Sequence, residues 1–115
     1  MGQSQAVNGA LRALSARNRR RILELVRDQP RAVGEIAEQL GVSQQIASHH
    51  LRVLRNAGLV SEQRDRTRHL FIVRTDGLAA VREFLDGFWP AHLGALKEAS
   101  EAEARRRSTP EQADG

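Results

Sequence analysis

The 115-residue sequence predicts a mainly α domain with one β-hairpin, in the order helix, helix, helix, helix, strand, strand, helix. Three observations predict it. Apolar residues recur at helical spacing in five separate stretches. Two of these stretches are joined by Gly41-Val42-Ser43, a glycine stop followed by a capping serine. Two short runs, Leu59–Arg64 and Arg68–Arg74, flank the polar tip Asp65-Arg66-Thr67, and Leu70-Phe71-Ile72-Val73 is of strand-forming type.

Residues 1–5 are polar and are expected to fray. Ala6–Leu14 has apolar residues at 6, 7, 10, 11, 13 and 14, a short first helix. Ser15 to Asn18 interrupts it, with Ser15 or Asn18 placed to cap the next. Arg19–Asp28 forms the second helix and buries Ile22, Leu23, Leu25 and Val26. Pro30 ends that segment, because the residue before a proline is pushed out of helical geometry. Val33–Leu40 is the third helix, with Val33, Ile36, Ala37 and Leu40 on one face. Gly41 supplies the left-handed stop, Val42 fills the turn, and Ser43 caps the fourth helix. Position 46 is Ile, so the reciprocal capping contact is not completed. Helices joined this way make a helix-turn-helix, and a hairpin after it makes a wing. The predicted fold is a winged helix-turn-helix.

Along the fourth helix, Ile46, Ala47, His50, Leu51 and Leu54 face inward, while Gln44, Gln45, Ser48, His49 and Arg52 share the other face. Ala57-Gly58 stops it. Thr75 or Asp76 caps a last helix expected over 76–104, which Pro90 kinks or restarts after Trp89. Its apolar residues are Leu78, Val81, Phe84, Leu85, Phe88, Trp89, Leu93 and Leu96. That much aromatic area in one small domain predicts an interface. Leu11, Leu78, Val81, Leu85, Phe88, Trp89, Leu93 and Leu96 are its candidate residues, in a homodimer paired through the first and last helices. The ordered domain is expected over 6–98, with a disordered tail over 105–115.

The charge is uneven. Residues 1–75 hold 13 Arg and 6 acidic residues, net +7, against −3 for 76–115, giving +4 overall. The basic excess sits with the helix-turn-helix, as a phosphate-backbone binder requires. There is no cysteine, which removes disulfides, thiolate metal sites and cysteine nucleophiles. No apolar run is long enough to span a bilayer and no signal-peptide core is present, so a cytoplasmic protein without membrane contact is expected. No Gly-rich phosphate loop, His-Glu-x-x-His motif or nucleophile motif occurs, so no enzyme is expected.

The chemistry of the polar face fits double-stranded DNA. Gln44 and Gln45 can pair bidentately with adenine, Arg52 with guanine, and Ser48 with several base edges; His49 lies outward beside them. Ser43 and the helix N-terminus face a phosphate. Arg64, Arg66 and Arg68 on the wing, and Arg17 and Arg20 at the second helix, are candidate backbone contacts. His49 and His50 are adjacent and so make a poor metal pair. His92 is a weak metal candidate: with Asp86, Glu83 or Glu98 across a dimer it could take nickel or zinc. A lone histidine per helix more simply serves the interface, and no cofactor is otherwise expected.

Ala13-Leu14-Ser15 followed by Arg19-Arg20-Arg21-Ile22-Leu23 resembles the opening of the ArsR-type (ArsR/SmtB) winged helix-turn-helix repressors. So do Val33-Gly34-Glu35-Ile36-Ala37 and the run Ser48-His49-His50-Leu51 with Leu54 and Ala57-Gly58-Leu59-Val60. Phe88-Trp89 with Leu93 and Leu96 resembles a branch without cysteine metal sites. The resemblance covers roughly residues 6–98. It implies a homodimeric transcriptional repressor on an inverted-repeat operator, released by a signal the sequence does not name. Three positions depart from the pattern. Ala16-Arg17 stands where Asp-Pro is usual, Asp65-Arg66-Thr67 where the wing tip carries Gly, and Glu35-Ile36-Ala37 where metal sensors place a cysteine pair. The alternatives are a nickel- or zinc-responsive regulator using the last helix, and a winged-helix module acting with a protein partner or small-ligand effector.

Overall fold

The computed structural model describes residues 2–89 and 98–107. Its elements are α1 (Gly2–Leu14), α2 (Arg17–Asp28), α3 (Val33–Leu40), α4 (Gln44–Asn56), β1 (Val60–Asp65), β2 (Arg68–Val73) and α5 (Asp76–Asp86). Residues 98–107 form a further helix. The chain divides into two compact units, 1–83 and 84–115.

In the first unit, Ala10 and Ala13 of α1, Ile22 and Val26 of α2, Ile36 and Ala37 of α3, and Ala47, Leu51 and Leu54 of α4 close one core with Leu59 and Val60. Both glycine stops have the same construction. Gly41 and Gly58 sit at φ 69° and 75°. The Val42 N–H then reaches the Ala37 carbonyl at 3.0 Å, and the Leu59 N–H reaches that of Leu54 at 2.9 Å. These are six-to-one closures that a left-handed residue makes possible.

α1 starts at Gly2, earlier than the expected frayed end. α2 starts at Arg17 from Ala16, which makes no side-chain cap, so neither Ser15 nor Asn18 caps it. The Ser15 hydroxyl instead donates back to the Arg12 carbonyl at 2.7 Å. Arg19 donates to the carbonyls of Ala13 and Arg12, at 2.7 and 3.2 Å, and Arg20 to that of Leu14 at 2.7 Å. Cationic side chains from the start of α2 thus satisfy the orphan carbonyls ending α1, where the helix dipole also favours positive charge.

β1 and β2 pair antiparallel from Val60↔Val73 to Asp65↔Arg68, leaving Arg66-Thr67 as the turn. A bridge between Arg31 and Phe71 adds a third, single-residue contact to the hairpin. The amide of Phe71 donates to the Arg31 carbonyl at 2.7 Å, and the reverse bond is 3.2 Å. The Arg31 side chain turns back onto the Leu25 carbonyl at 3.0 Å, closing α2.

α5 enters against the end of α4. The Thr75 carbonyl accepts from Ala79 at 2.7 Å, and the Gly77 amide donates to Gly58 at 3.0 Å. Leu78 and Val81 pack against the core of their own chain.

In the second unit, the last turn tightens. The amides of Gly87, Phe88 and Trp89 donate to the carbonyls of Phe84, Leu85 and Asp86. The regular helix therefore ends at Asp86, three residues before the expected break at Trp89, because Gly87 is a poor helix former and Pro90 excludes Trp89 from helical geometry. Phe84 and Phe88 meet edge to face at 5.1 Å. The helix over 98–107 includes Arg105, Arg106 and Arg107, residues whose composition predicts disorder; Arg106 and Arg107 pair with Glu103 one turn earlier. Leu93 and Leu96 lie outside the described residues. Among the described residues, no helix is long and apolar enough to cross a membrane.

Candidate nucleic-acid interface

α4 is held at its start by Ser43, whose hydroxyl oxygen accepts the Ile46 N–H at 3.1 Å. Ala47, Leu51 and Leu54 are buried and fix the inward direction of the helix. Gln45, His49 and Arg52 point the other way and are exposed. Gln44 stands apart from that face. Its amide lies over α3, where a Cβ on Gly34 would come within 3.3 Å of Nε2. Ser48 is half-buried and, with Arg52, Arg55, Glu62, Phe71 and Leu51, lines the cleft between α4 and the wing.

Ile46, expected inward, is 48% exposed. At 100° per residue it sits well to one side of the direction set by Ala47, Leu51 and Leu54, so it leaves the core beside His49. Its apolar character gave no sign of this; its angular position did.

His50 is half-buried, and Arg19 Nη1 reaches its Nδ1 at 3.4 Å. The guanidinium can only donate, so Nδ1 accepts and the ring proton sits on Nε2. Burial first, then the charges of Arg19 and His49, pushes the His50 pKa below its ordinary value. His50 is therefore a neutral ring that links α2 to α4.

The arginines separate by what they already hold. Arg20 is engaged with the Leu14 carbonyl, and Arg68 pairs with Glu35 at 2.5 Å. Arg68 thereby ties β2 to the first turn of α3 and is less available to a phosphate than its position on the wing predicts. Arg55 is held by Glu62 at 3.4 Å, and His69 donates to the same carboxylate. Among the described residues, Arg17, Arg52, Arg64 and Arg66 are exposed and make no side-chain hydrogen bond or ion pair. Arg21, one turn beyond Arg17, shares that state and was not singled out by its sequence position. No group of three His, Asp or Glu side chains is placed to hold a metal ion among the described residues, and His92 lies outside them.

The surface is thus a polar helix face flanked by uncompensated arginines on one helix N-terminus and one wing. A model described as "Bacterial regulatory protein, arsR family" matches residues 17–62. The HTH-type transcriptional regulator Rv2034 of Mycobacterium tuberculosis is 37% identical over 103 residues, spanning 90% of this chain and 96% of that protein. The chain belongs to the ArsR family. It is a DNA-binding transcriptional regulator of that family, not an enzyme. Two solved structures carry the same winged helix-turn-helix as this ArsR-family chain. One, described as a possible transcriptional regulator for arsenical resistance, has a TM-score of 0.63 and 31% identity, covering 78% of this chain and 94% of the other. The second is a homodimeric winged helix-turn-helix DNA-binding domain from Mycobacterium bovis, described as that of a possible ArsR-family transcriptional regulator. It has a TM-score of 0.60 and 30% identity, covering 75% of this chain and 83% of its own.

Proposed function

We propose that this chain is a homodimeric repressor that binds an inverted-repeat operator through α4 and the wing. The observation that carries the reading is the pairing of an outward Gln45-His49-Arg52 face with Arg17, Arg21, Arg64 and Arg66, exposed and without internal partners. Gln45 and Arg52 read base edges in the major groove, with Ser48 and His49 at their sides. Arg64 and Arg66 on the wing and Arg17 at α2 hold the backbone, with Ser43 and the α4 N-terminus at a further phosphate. Gln44 contributes after swinging off Gly34, and Arg68 and Arg20 act mainly by holding the wing and α1 in place.

The dimer aligns two such faces with two half-sites. Its candidate residues are Leu11 in the first unit and, in the second, Leu85, Phe88 and Trp89, each exposed. Leu78 and Val81 serve chiefly the core of their own chain. The effector is of unassigned class. The nickel or zinc reading rests on His92 alone, and nothing among the described residues favours it. Neither metal is expected to change operator affinity in wild type or His92→Ala.

The test is a gel-shift titration on an inverted repeat over rising salt. Three arginine–phosphate pairs per protomer predict a slope of log affinity on log salt of about −5. Arg64→Gln is expected to flatten the slope by about 2, because each protomer then neutralises one phosphate fewer. Binding that ignores salt, or ignores the repeat, would sink the proposal.

A further inference from the structure

Ile46 is not part of the hydrophobic core. Of the large hydrophobic side chains exposed among the described residues, it alone belongs to the helix-turn-helix; the others are Leu11, Phe84, Leu85, Phe88 and Trp89. A β-branched residue is a poorer helix former than alanine, and at 48% exposure it gains only part of the burial a core position would give. Its backbone is nonetheless pinned, because its N–H is the one that the Ser43 hydroxyl accepts. The side chain therefore projects from a fixed point in the first turn of α4, beside the exposed His49 and on the far side of it from Gln45.

That turn is the part of a recognition helix that meets base edges. In the major groove the one apolar feature a base pair offers is a methyl group on pyrimidine C5, which thymine carries. A half-exposed branched aliphatic chain at the edge of the Gln45-His49 face has that shape and chemistry as its complement. We propose that Ile46 reads the C5-methyl group of a thymine in each half-site. This rests on the DNA-reading role of α4 proposed above and adds a specificity residue to it.

The full chain, wild type and Ile46→Ala, is first used to select duplexes from a random pool. Each thymine of the preferred site is then replaced by deoxyuridine, which removes the methyl and keeps every hydrogen-bonding group. Burial of one methyl-sized group is worth roughly four-fold in affinity, about 0.8 kcal/mol. Wild type is expected to lose roughly four-fold at one thymine in one half-site and about fifteen-fold when both are changed. Ile46→Ala is expected to bind the unmodified site more weakly and to be indifferent to that same change, with Ile46→Val in between. A thermal melt of each variant is expected to match wild type, since the side chain is outside the core.

A flat deoxyuridine scan, or an equal loss in Ile46→Ala, overturns the proposal. A second set of duplexes carries 5-methylcytosine for cytosine. A gain there with a flat thymine scan transfers the contact to methylated cytosine and also overturns it. If folded wild type enriches no sequence at all, the α4 reading itself has failed, which a sequence-selective protein with a flat scan would not show.

Discussion

Arg66 shows how one residue is divided between folding and binding. It holds the wing turn at φ 59°, the one non-glycine residue at positive φ among those described. For an L-residue with a full side chain this costs about 1 kcal/mol. Asparagine tolerates the same geometry better. Arg66→Asn is expected to raise the unfolding free energy by up to about 1 kcal/mol while weakening operator binding and flattening its salt dependence. A variant that is both less stable and unchanged in binding would remove the strain and the phosphate contact together. His50 is divided differently. Its folded pKa lies below its ordinary value, through burial and then Arg19 and His49. In the window below that ordinary value the unfolded chain binds the proton more readily than the folded one. Stability from this site is therefore complete above the ordinary histidine range and falls as pH drops toward the folded pKa. Urea midpoints at about pH 7 and about pH 5 are expected to differ more for wild type than for His50→Gln. Equal acid losses in both proteins would assign the pH dependence to other groups.

At the scale of elements, the junction between α4 and α5 is the tightest approach at any described glycine. A Cβ added at Gly77 would lie 2.5 Å from the Ala57 carbonyl oxygen and 2.8 Å from Leu59 Cδ2. Neither the backbone of the α4 stop nor the buried Leu59 can move aside cheaply. Gly77→Ala is expected to cost about 2–3 kcal/mol, read from a chemical denaturation midpoint, as overpacking at a rigid junction does. A neutral result would mean that α5 can slide on Gly58 and does not fix the end of α4. α3, the Gly41 stop, the Ser43 cap and the hairpin are set by local chemistry, and each stands where periodicity and turn residues place it. The Arg31–Phe71 bridge is a single pair with no periodic signal, made by a residue just after Pro30, so no local pattern marks it. The fork of Arg19 and Arg20 onto the α1 carbonyls depends on how α1 and α2 meet, which side-chain type alone does not encode. The same reason separates Arg68 from Arg64 and Arg66. All three read as wing arginines, and only the tertiary position of Glu35 makes one of them an internal tie.

The whole molecule couples two charges and one apolar surface. Its basic excess lies within residues 1–75, and the remainder is net acidic, so phosphate attraction is concentrated on the helix-turn-helix and wing. On the proposed reading, one such domain holds only a short half-site, and affinity for a full operator depends on tethering two. The second half-site is engaged at an effective concentration set by the dimer, which multiplies affinity without any added interaction. Phe88 is the natural probe of that tether. It is 67% exposed and stacks edge to face on Phe84, its own neighbour one turn back. In a two-fold interface every residue is used twice, so a central aromatic worth about 2 kcal/mol contributes about 4. Phe88→Ala is therefore expected to weaken dimerisation by about a thousand-fold, measured by sedimentation across a dilution series. Affinity for the inverted repeat should fall with it, while affinity for an isolated half-site should hold. Loss on both DNAs would point to a folding defect. Wild-type sedimentation with an intact repeat preference would place the dimer surface elsewhere.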